Sequence, residues 1–144
     1  MRVHEIMNKA VNACHPEDSL AEATAVMWKL DSDSLPVIDW QDQIAGLITA
    51  RDVEAALRNT NRPAPEVQVS DAMSHTIVSC SPEDDIHEAV GLIRKFGCRR
   101  LPVVNKDGKL IGIFSLTALL DRRKEGDDLG ISESELLELS YGDL

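Results

Sequence analysis

Residues 14–18 read Cys-His-Pro-Glu-Asp, and the pattern returns at residues 80–84 as Cys-Ser-Pro-Glu-Asp. The same shift of 66 positions places Leu35-Pro36-Val37 on Leu101-Pro102-Val103 without a gap. A unit that recurs in this way is usually one supersecondary element that buries its apolar face against its copy. Two copies are too few for a solenoid, so the sequence predicts a closed pair of repeats.

Both repeats carry the same series of local signals. A short first strand is expected at residues 10–13 and 76–79. Ser81-Pro82-Glu83-Asp84 then marks a helix start, because Ser caps a helix, Pro suits its first turn and acids complement its dipole. Apolar residues at helical spacing follow, and two strands and a second helix complete the unit. The clearest hairpin turn is Asn105-Lys106-Asp107-Gly108. The pattern predicts an α+β fold of two β-α-β-β-α repeats.

The order of these signals divides the chain into four parts. They are a first repeat over residues 1–58, a linker over 59–68, a second repeat over 69–123 and an acidic tail over 124–144. In the tail, Ser132 and Glu135 have the spacing of a capping box, so a short C-terminal helix is expected. The leucines that follow are Leu136, Leu137 and Leu139. The apolar side of this helix needs a partner, either the rest of the chain or another chain.

The composition limits the partners of the protein. Its 144 residues carry a net charge of −10, which disfavours nucleic acid and anionic membranes because binding to them needs a basic surface. No apolar run approaches the roughly 20 residues that span a bilayer, and residues 1–8 lack a signal-peptide pattern. A cytoplasmic protein is therefore expected, with Cys14, Cys80 and Cys98 reduced and structural. No histidines or cysteines have metal-ligand spacing, so no metal site is expected.

The segment Gly46-Leu47-Ile48-Thr49-Ala50-Arg51-Asp52 joins a predicted strand to a predicted helix. Free N–H groups at a helix start attract anions, and the Thr49 hydroxyl can help to hold a phosphate. The Asp52 carboxylate, an acceptor with two oxygens, suits the paired hydroxyls of a ribose. The same two residues also have the spacing of an ordinary capping box without any ligand. Both interpretations stay open on this motif alone.

Together these elements resemble a tandem pair of cystathionine-β-synthase (CBS) domains, the arrangement called a Bateman module. The resemblance covers about residues 3–123, nearly everything except the tail. It depends on the Pro-Glu-Asp helix start, on the strands Leu35 to Ile38 and Leu101 to Val104, and on the Gly-x-x-[Ser/Thr]-x-x-Asp pattern that ends at Asp52. The resemblance implies that the two repeats pack as a pseudo-twofold pair.

Members of this family commonly bind adenosine-containing ligands in clefts between the repeats. The [Ser/Thr]-x-x-Asp of one repeat meets ribose and phosphate, while the first strand and the strand start of the other repeat enclose the base. By that pattern, the implied ligand-binding residues are Thr49, Asp52, His75, Thr76, Ile77, Val78, Cys98, Arg99, Arg100 and Leu101. The planar fork of arginine suits phosphate. The competing interpretation of the two arginines is a solvated or salt-bridged surface pair.

The second copy of the motif departs from the pattern. Ser115 keeps the hydroxyl, but Ala118 stands where the ribose-binding acid belongs. The strand start that faces it in the family arrangement carries Asp33 and Ser34 in place of arginines, and an aspartate there repels phosphate. Both changes point to a degenerate second cleft, so one nucleotide per chain is expected.

The resemblance implies a non-catalytic regulatory module. It would sense AMP, ADP or ATP without any required cofactor, form a homodimer and regulate a protein partner in trans. One alternative is a ligand-free dimerising scaffold, in which the tail leucines serve the interface. Another is a sensor of S-adenosylmethionine, whose sulfonium cation gains nothing from Arg99 or Arg100. No Ser-His-acid grouping or P-loop is recognisable in the sequence, so an enzyme is not expected.

Overall fold

The computed structural model of the protein describes residues 1–141, so the last three residues of the predicted tail, 142–144, lie outside the described residues. The helices are α1 (Leu20–Leu30), α2 (Ala50–Thr60), α3 (Ile86–Phe96), α4 (Leu116–Lys124) and α5 (Glu133–Tyr141). The strands are β1 (Ser34–Ile38), β2 (Ile44–Thr49), β3 (Arg100–Val104) and β4 (Leu110–Ser115). This mixed α and β architecture, with its elements in the same order in both halves, confirms the predicted fold class and the two repeats.

The described chain forms two compact units, each with its own hydrophobic core. One unit comprises Asn12–Ile77, and the other combines Met1–Val11 with the chain from Val78 onward. Their cores are separate clusters of buried apolar side chains. Val67 is fully buried in the first of these cores, so the segment predicted as a linker contributes to the packing of that unit.

Each unit contains one antiparallel hairpin with the same register. β1 pairs with β2 so that Ser34 lies opposite Thr49, and β3 pairs with β4 so that Arg100 lies opposite Ser115. Each hairpin also carries one irregularity at the equivalent position near the end of its first strand. In both repeats the last residue of the second strand therefore lies opposite the first residue of the first strand.

The first strands predicted at residues 10–13 and 76–79 are absent, and each repeat has instead a single parallel bridge one residue later, at Cys14 and at Cys80. Proline explains why these bridges do not extend into strands. Cys14 N donates to Pro36 O at 3.0 Å, and Ile38 N donates to Cys14 O at 2.9 Å. The next bonds of a parallel ladder would need the N–H of residue 36 on one side and of residue 16 on the other. Both residues are proline and have no N–H. Pro102 and Pro82 limit the bridge at Cys80 in the same way.

The predicted helix start at Ser81-Pro82 is wrong by about one turn, because those residues form a turn of their own. Ser81 N donates to Asp84 Oδ2 at 2.9 Å, and Asp84 N donates to Ser81 O at 3.1 Å. These bonds close the turn before the helix begins. The N-cap of α3 is Asp85, whose Oδ1 accepts a hydrogen bond from His87 N at 2.8 Å. The acid that complements the helix dipole is therefore Asp85 itself.

Two glycines allow the hairpins to contact extended chain closely. Ser74 exchanges two backbone hydrogen bonds with Leu47 of β2, and a methyl group on Gly46 would lie 2.3 Å from the Ser74 carbonyl oxygen. In the other unit Asn8 bonds to β4 in the same way, and a methyl group on Gly112 would lie 2.7 Å from Met7 Sδ. The first obstacle is rigid backbone, whereas the second is the end of a flexible side chain.

Alanine substitutions of these glycines should therefore differ in cost. Gly46→Ala should lower the free energy of unfolding by about 1–3 kcal/mol, the usual cost of overpacking, and Gly112→Ala should cost less because Met7 can move. Gly91→Ala is the control, since nothing lies within 4 Å of the added methyl group and alanine favours a helix by about 0.5–1 kcal/mol. Urea unfolding of the three variants measures these changes in the free energy of unfolding and checks their order. Equal costs at the two hairpin glycines would contradict this description.

The predicted C-terminal helix is present as α5 and packs on its own unit. Ser132 Oγ accepts a hydrogen bond from Glu135 N at 3.1 Å, as the spacing of these residues predicted. Leu136 is fully buried in the core of the unit, and Leu139 is partly buried against that core. Leu137 is exposed. The apolar side of the helix thus finds its partner within the chain, which removes Leu136 from any surface offered to another molecule.

His87, in the first turn of α3, links that helix to the segment before α5. Its Nδ1 lies 2.7 Å from Asp85 Oδ1, and its Nε2 lies 3.4 Å from the carbonyl oxygen of Gly130. The hydrogen bond with the Asp85 side chain, followed by the bond with Gly130, raises the pKa of His87 above its ordinary value of 6.5. Both partners are acceptors, so both bonds form only when both ring nitrogens carry protons.

This link should weaken as the pH rises. Because the pKa of His87 is raised by folding, its contribution to stability is complete below pH 6.5 and is lost as the pH passes through the folded pKa. In Asp85→Asn the pKa of His87 should fall toward its ordinary value. Asp84→Asn removes the neighbouring charge without touching the imidazole and is the control. A proton NMR titration measures the pKa of His87 in both variants. An unchanged pKa in Asp85→Asn would refute the link.

Candidate functional site

The junction of β2 and α2 carries the hydroxyl and carboxylate that the sequence singled out. Thr49 Oγ1 accepts a hydrogen bond from Asp52 N at 3.0 Å, and Asp52 Oδ2 accepts one from Thr49 N at 3.0 Å. The two residues therefore form a complete capping box at the start of α2, and both side chains are partly buried. Within residues 1–141, Asp52 Oδ1 and the Thr49 O–H make no other hydrogen bond. Capping thus leaves one acceptor and one donor for a ligand.

The start of β1 lies directly beside this junction. Ala50 N donates to Asp33 O at 2.8 Å, and Ser34 faces Thr49 across the hairpin. Asp33 is exposed and Ser34 is partly buried. Two acidic residues, Asp33 and Asp52, therefore lie at the start of α2, and their negative charges disfavour a phosphate group there.

The equivalent junction in the other repeat has the same backbone and different charges. Leu116 N donates to Arg99 O at 3.2 Å, and Arg100 faces Ser115 across the hairpin. Ser115 Oγ caps α4 by accepting a hydrogen bond from Ala118 N at 3.1 Å, and the position of the acid is occupied by the Ala118 methyl group. Two arginines and a helix N-terminus therefore meet there without a carboxylate in the cap.

Both arginines are exposed and are not paired with acids. In the part of the chain that the structure describes, neither Arg99 nor Arg100 forms a salt bridge. This observation removes the salt-bridged half of the competing interpretation and leaves a solvated pair or a ligand-binding pair. Leu101, the next residue, is fully buried and anchors the strand start in the core.

The remaining predicted residues lie on segments without regular secondary structure. His75 and Thr76 are exposed and follow Ser74, which is bonded to Leu47 of β2. Ile77 and Val78 are partly buried. Cys98 is also partly buried and packs against the core of the unit that contains Arg99.

The predicted site draws on both compact units. One unit holds Thr49, Asp52 and His75 to Ile77, and the other holds Val78 and Cys98 to Leu101. Sequence reasoning did not foresee that the strand start and the helix cap of the same repeat are neighbours. The register of the hairpin brings Asp33 and Ser34 to the Thr49 cap, and it brings Arg99 and Arg100 to the Ser115 cap.

The cysteines of the two repeat starts are structural, as expected. Cys14 and Cys80 are buried, and burial raises the pKa of each thiol to about 12. A raised pKa keeps these buried thiols neutral at pH 7, which disfavours a nucleophilic role. Residues 1–141 also contain no cluster of three or more His, Cys, Asp or Glu side chains that could hold a metal ion. No helix of that region is long and apolar enough to cross a bilayer.

Comparison with known proteins agrees with this architecture. The family model of the CBS domain matches the chain twice, over residues 3–59 and 69–125. The chain belongs to the CBS domain family. The inosine-5'-monophosphate dehydrogenase of Methanocaldococcus jannaschii is 34% identical over 123 residues, which are 85% of this chain and 24% of that enzyme. The chain thus spans about a quarter of this relative. The CBS domain-containing protein YhcV of Bacillus subtilis is 30% identical over 129 residues, 89% of either chain.

Solved structures of CBS domain pairs share the fold. The plant protein CBSX2 of Arabidopsis thaliana, in complex with AMP, has a TM-score of 0.75 with 24% sequence identity, over 86% of this chain and 96% of that one. The CBS domain pair of protein MJ0100, in complex with 5'-methylthioadenosine and S-adenosyl-L-methionine, has a TM-score of 0.74 with 19% identity. That match covers 88% of this chain and 98% of the other. At these identities the comparisons establish the fold.

Proposed function

We propose that this CBS domain pair is a non-catalytic regulatory module that binds one adenine nucleotide, AMP, ADP or ATP. The observation that carries the proposal is the unequal charge of two otherwise equivalent junctions. The Ser115 cap has Arg99 and Arg100 beside it, whereas the Thr49 cap has Asp52 and Asp33. A nucleotide has two chemically different ends, and each junction suits one of them.

The arginines supply the phosphate-binding part of the proposed site. Their guanidinium groups are exposed and have no salt bridge within the described chain, so binding an anion breaks no existing ion pair. Two arginines also present paired N–H donors that match phosphate oxygens. The absence of a carboxylate at Ala118 leaves the positive end of α4 without an opposing charge.

Asp52 supplies the ribose-binding part. One of its oxygens is committed to the Thr49 N–H, which fixes the position of the carboxylate, and the other oxygen remains free to accept from a ribose hydroxyl. Thr49 keeps its O–H as a donor. His75 to Val78 and Cys98 to Leu101 would enclose the base, as in the family pattern. Two solved CBS domain pairs of this fold are complexes with adenosine-based ligands, AMP in one and 5'-methylthioadenosine with S-adenosyl-L-methionine in the other, which supports this ligand class.

The proposed output is regulation of a protein partner in trans by a homodimer. Binding can shift a conformational equilibrium only by the difference in affinity for the two states, which is typically about 1–3 kcal/mol. The scaffold alternative relied on the tail leucines as an interface, and the burial of Leu136 within its own unit weakens that alternative. S-adenosylmethionine remains the rival ligand because it shares the adenosine group.

Isothermal titration calorimetry with ATP tests the ribose-binding role of Asp52. Asp52→Ala should lower the ATP affinity at least tenfold, because a hydrogen bond to a charged group is worth about 1.5–3 kcal/mol. The variant also loses part of a helix cap, so Glu22→Ala, which removes the equivalent acid of the capping box at α1, is the matched control. Ser19 and Glu22 form the same capping box at α1, and its loss costs about 1 kcal/mol of stability without removing a proposed ligand contact.

The arginines distinguish the nucleotides from the rival ligand. A double variant, Arg99→Gln with Arg100→Gln, should bind ATP much more weakly and should bind S-adenosylmethionine as the unaltered protein does. An ATP affinity that survives both this variant and Asp52→Ala would overturn the proposed site. Strong binding of S-adenosylmethionine alone would replace the nucleotide by that ligand.

A further inference from the structure

The C-terminal helix α5 reaches the segment that precedes the phosphate-binding arginines. A cavity of about 300 Å³ is lined by Ile93, Arg94, Gly97, Cys98, Glu135, Glu138 and Leu139. Its wall therefore combines the end of α3, the residue directly before Arg99 and one face of α5. All of these residues belong to one compact unit.

Several specific contacts hold α5 in this position. Leu136 is fully buried, and Leu129 and Ile131 in the segment before the helix are nearly so. Glu135 forms a salt bridge with Arg94 of α3. Arg123 of α4 donates a hydrogen bond to the carbonyl oxygen of Ile131 at 2.8 Å. The helix is thus docked by a small apolar anchor and by polar contacts at the surface.

The charge of α5 is entirely acidic over its described length. It contains Glu133, Glu135 and Glu138 and no basic residue. Arg94 neutralises Glu135, whereas Glu138 is exposed and has no salt bridge within residues 1–141. Glu138 therefore leaves an unbalanced negative charge on the cavity that Cys98 also lines.

We propose that docked α5 is an autoinhibitory acidic strap that lowers the affinity of the arginines for nucleotide phosphates. This inference rests on the proposed function, because it assigns phosphates to Arg99 and Arg100. A carboxylate near a phosphate group opposes binding in proportion to the phosphate charge, so the strap penalises ATP more than AMP. With the strap docked, the protein would distinguish adenine nucleotides by the charge of their phosphates as well as recognise their shared adenosine group.

Linkage makes the effect reciprocal. If docked α5 weakens nucleotide binding by some factor, bound nucleotide must weaken the docking of α5 by the same factor. Release of the strap would expose the part of the core that Leu136 now fills and would free Arg94 of α3 from its salt bridge with Glu135. Nucleotide binding would in this way alter the surface around α5, which a protein partner can contact.

The direct test compares two acids of the same helix. Glu138 lines the cavity with Cys98, whereas Glu133 lines a different one with Arg123 and Lys124. Glu138→Gln and Glu133→Gln remove the same charge from the same helix and keep a good helix former. The repulsion between Glu138 and a phosphate group grows with the phosphate charge and is least screened at low salt. At an ionic strength near 0.01 M, Glu138→Gln should therefore strengthen ATP binding about fivefold and AMP binding about twofold. Glu133→Gln should change either affinity less than Glu138→Gln does.

Hydrogen exchange of the backbone amides measures the reciprocal effect. Saturating ATP should speed the exchange of the amides of α5 in the unaltered protein, and AMP should do so less. Glu138→Gln should reduce the difference between the two nucleotides. This second measurement needs no core substitution, so it does not depend on a variant such as Leu136→Ala that could fail to fold.

The results separate this inference from the proposed function. Absence of binding of AMP, ADP and ATP alike to the unaltered protein would overturn the proposed function, and the strap would fall with it. Normal ATP binding with equal affinities in the two glutamate variants would overturn the strap and leave the nucleotide site intact. Slower exchange of α5 on ATP binding would also overturn the strap, because it would mean that nucleotide stabilises the docked helix.

Discussion

One backbone hydrogen bond, made once in each repeat, fixes the start of the second helix against the start of the hairpin. Ala50 N donates to Asp33 O, and Leu116 N donates to Arg99 O. An α-helix leaves its first N–H groups without internal partners, so this bond satisfies one of them from the same repeat. The side chain at the strand start is thereby held beside the residue that caps the helix. Each repeat thus has one position where hydroxyl, helix dipole and strand-start charge act together.

Divergence of these two positions explains the proposed function better than any single motif does. The backbone is equivalent in both repeats, but Asp33 and Asp52 make one junction acidic, whereas Arg99 and Arg100 with Ala118 make the other basic. A symmetric pair would offer two similar sites. In the proposed function, one junction of an unequal pair binds the ribose and the other binds the phosphates. The proposed strap, α5, would then adjust the affinity for the phosphates.

Local patterns predicted much of this structure from sequence. Helical spacing and the Ser132 cap gave the helices, and the 66-residue repeat gave the shared order of elements. The extent of the first strands depended on a partner strand, since Pro36 limits pairing with residues distant in sequence. The sequence also did not predict that Met1–Val11 packs with the second repeat, because periodicity indicates which face of an element is buried and not which segment covers it. The capping box at Thr49 and Asp52 was foreseen, but its neighbours depend on hairpin register.

The number of nucleotides bound per chain tests the unequal junctions most directly. Calorimetric titration of ATP into the unaltered protein, at a protein concentration well above the dissociation constant, gives that number without any substitution. One site per chain is predicted, because the proposed site needs both Asp52 and the arginine pair, and each of these occurs at only one of the two junctions. Two equivalent sites, or no binding by any adenine nucleotide, would contradict the functional asymmetry of the repeats.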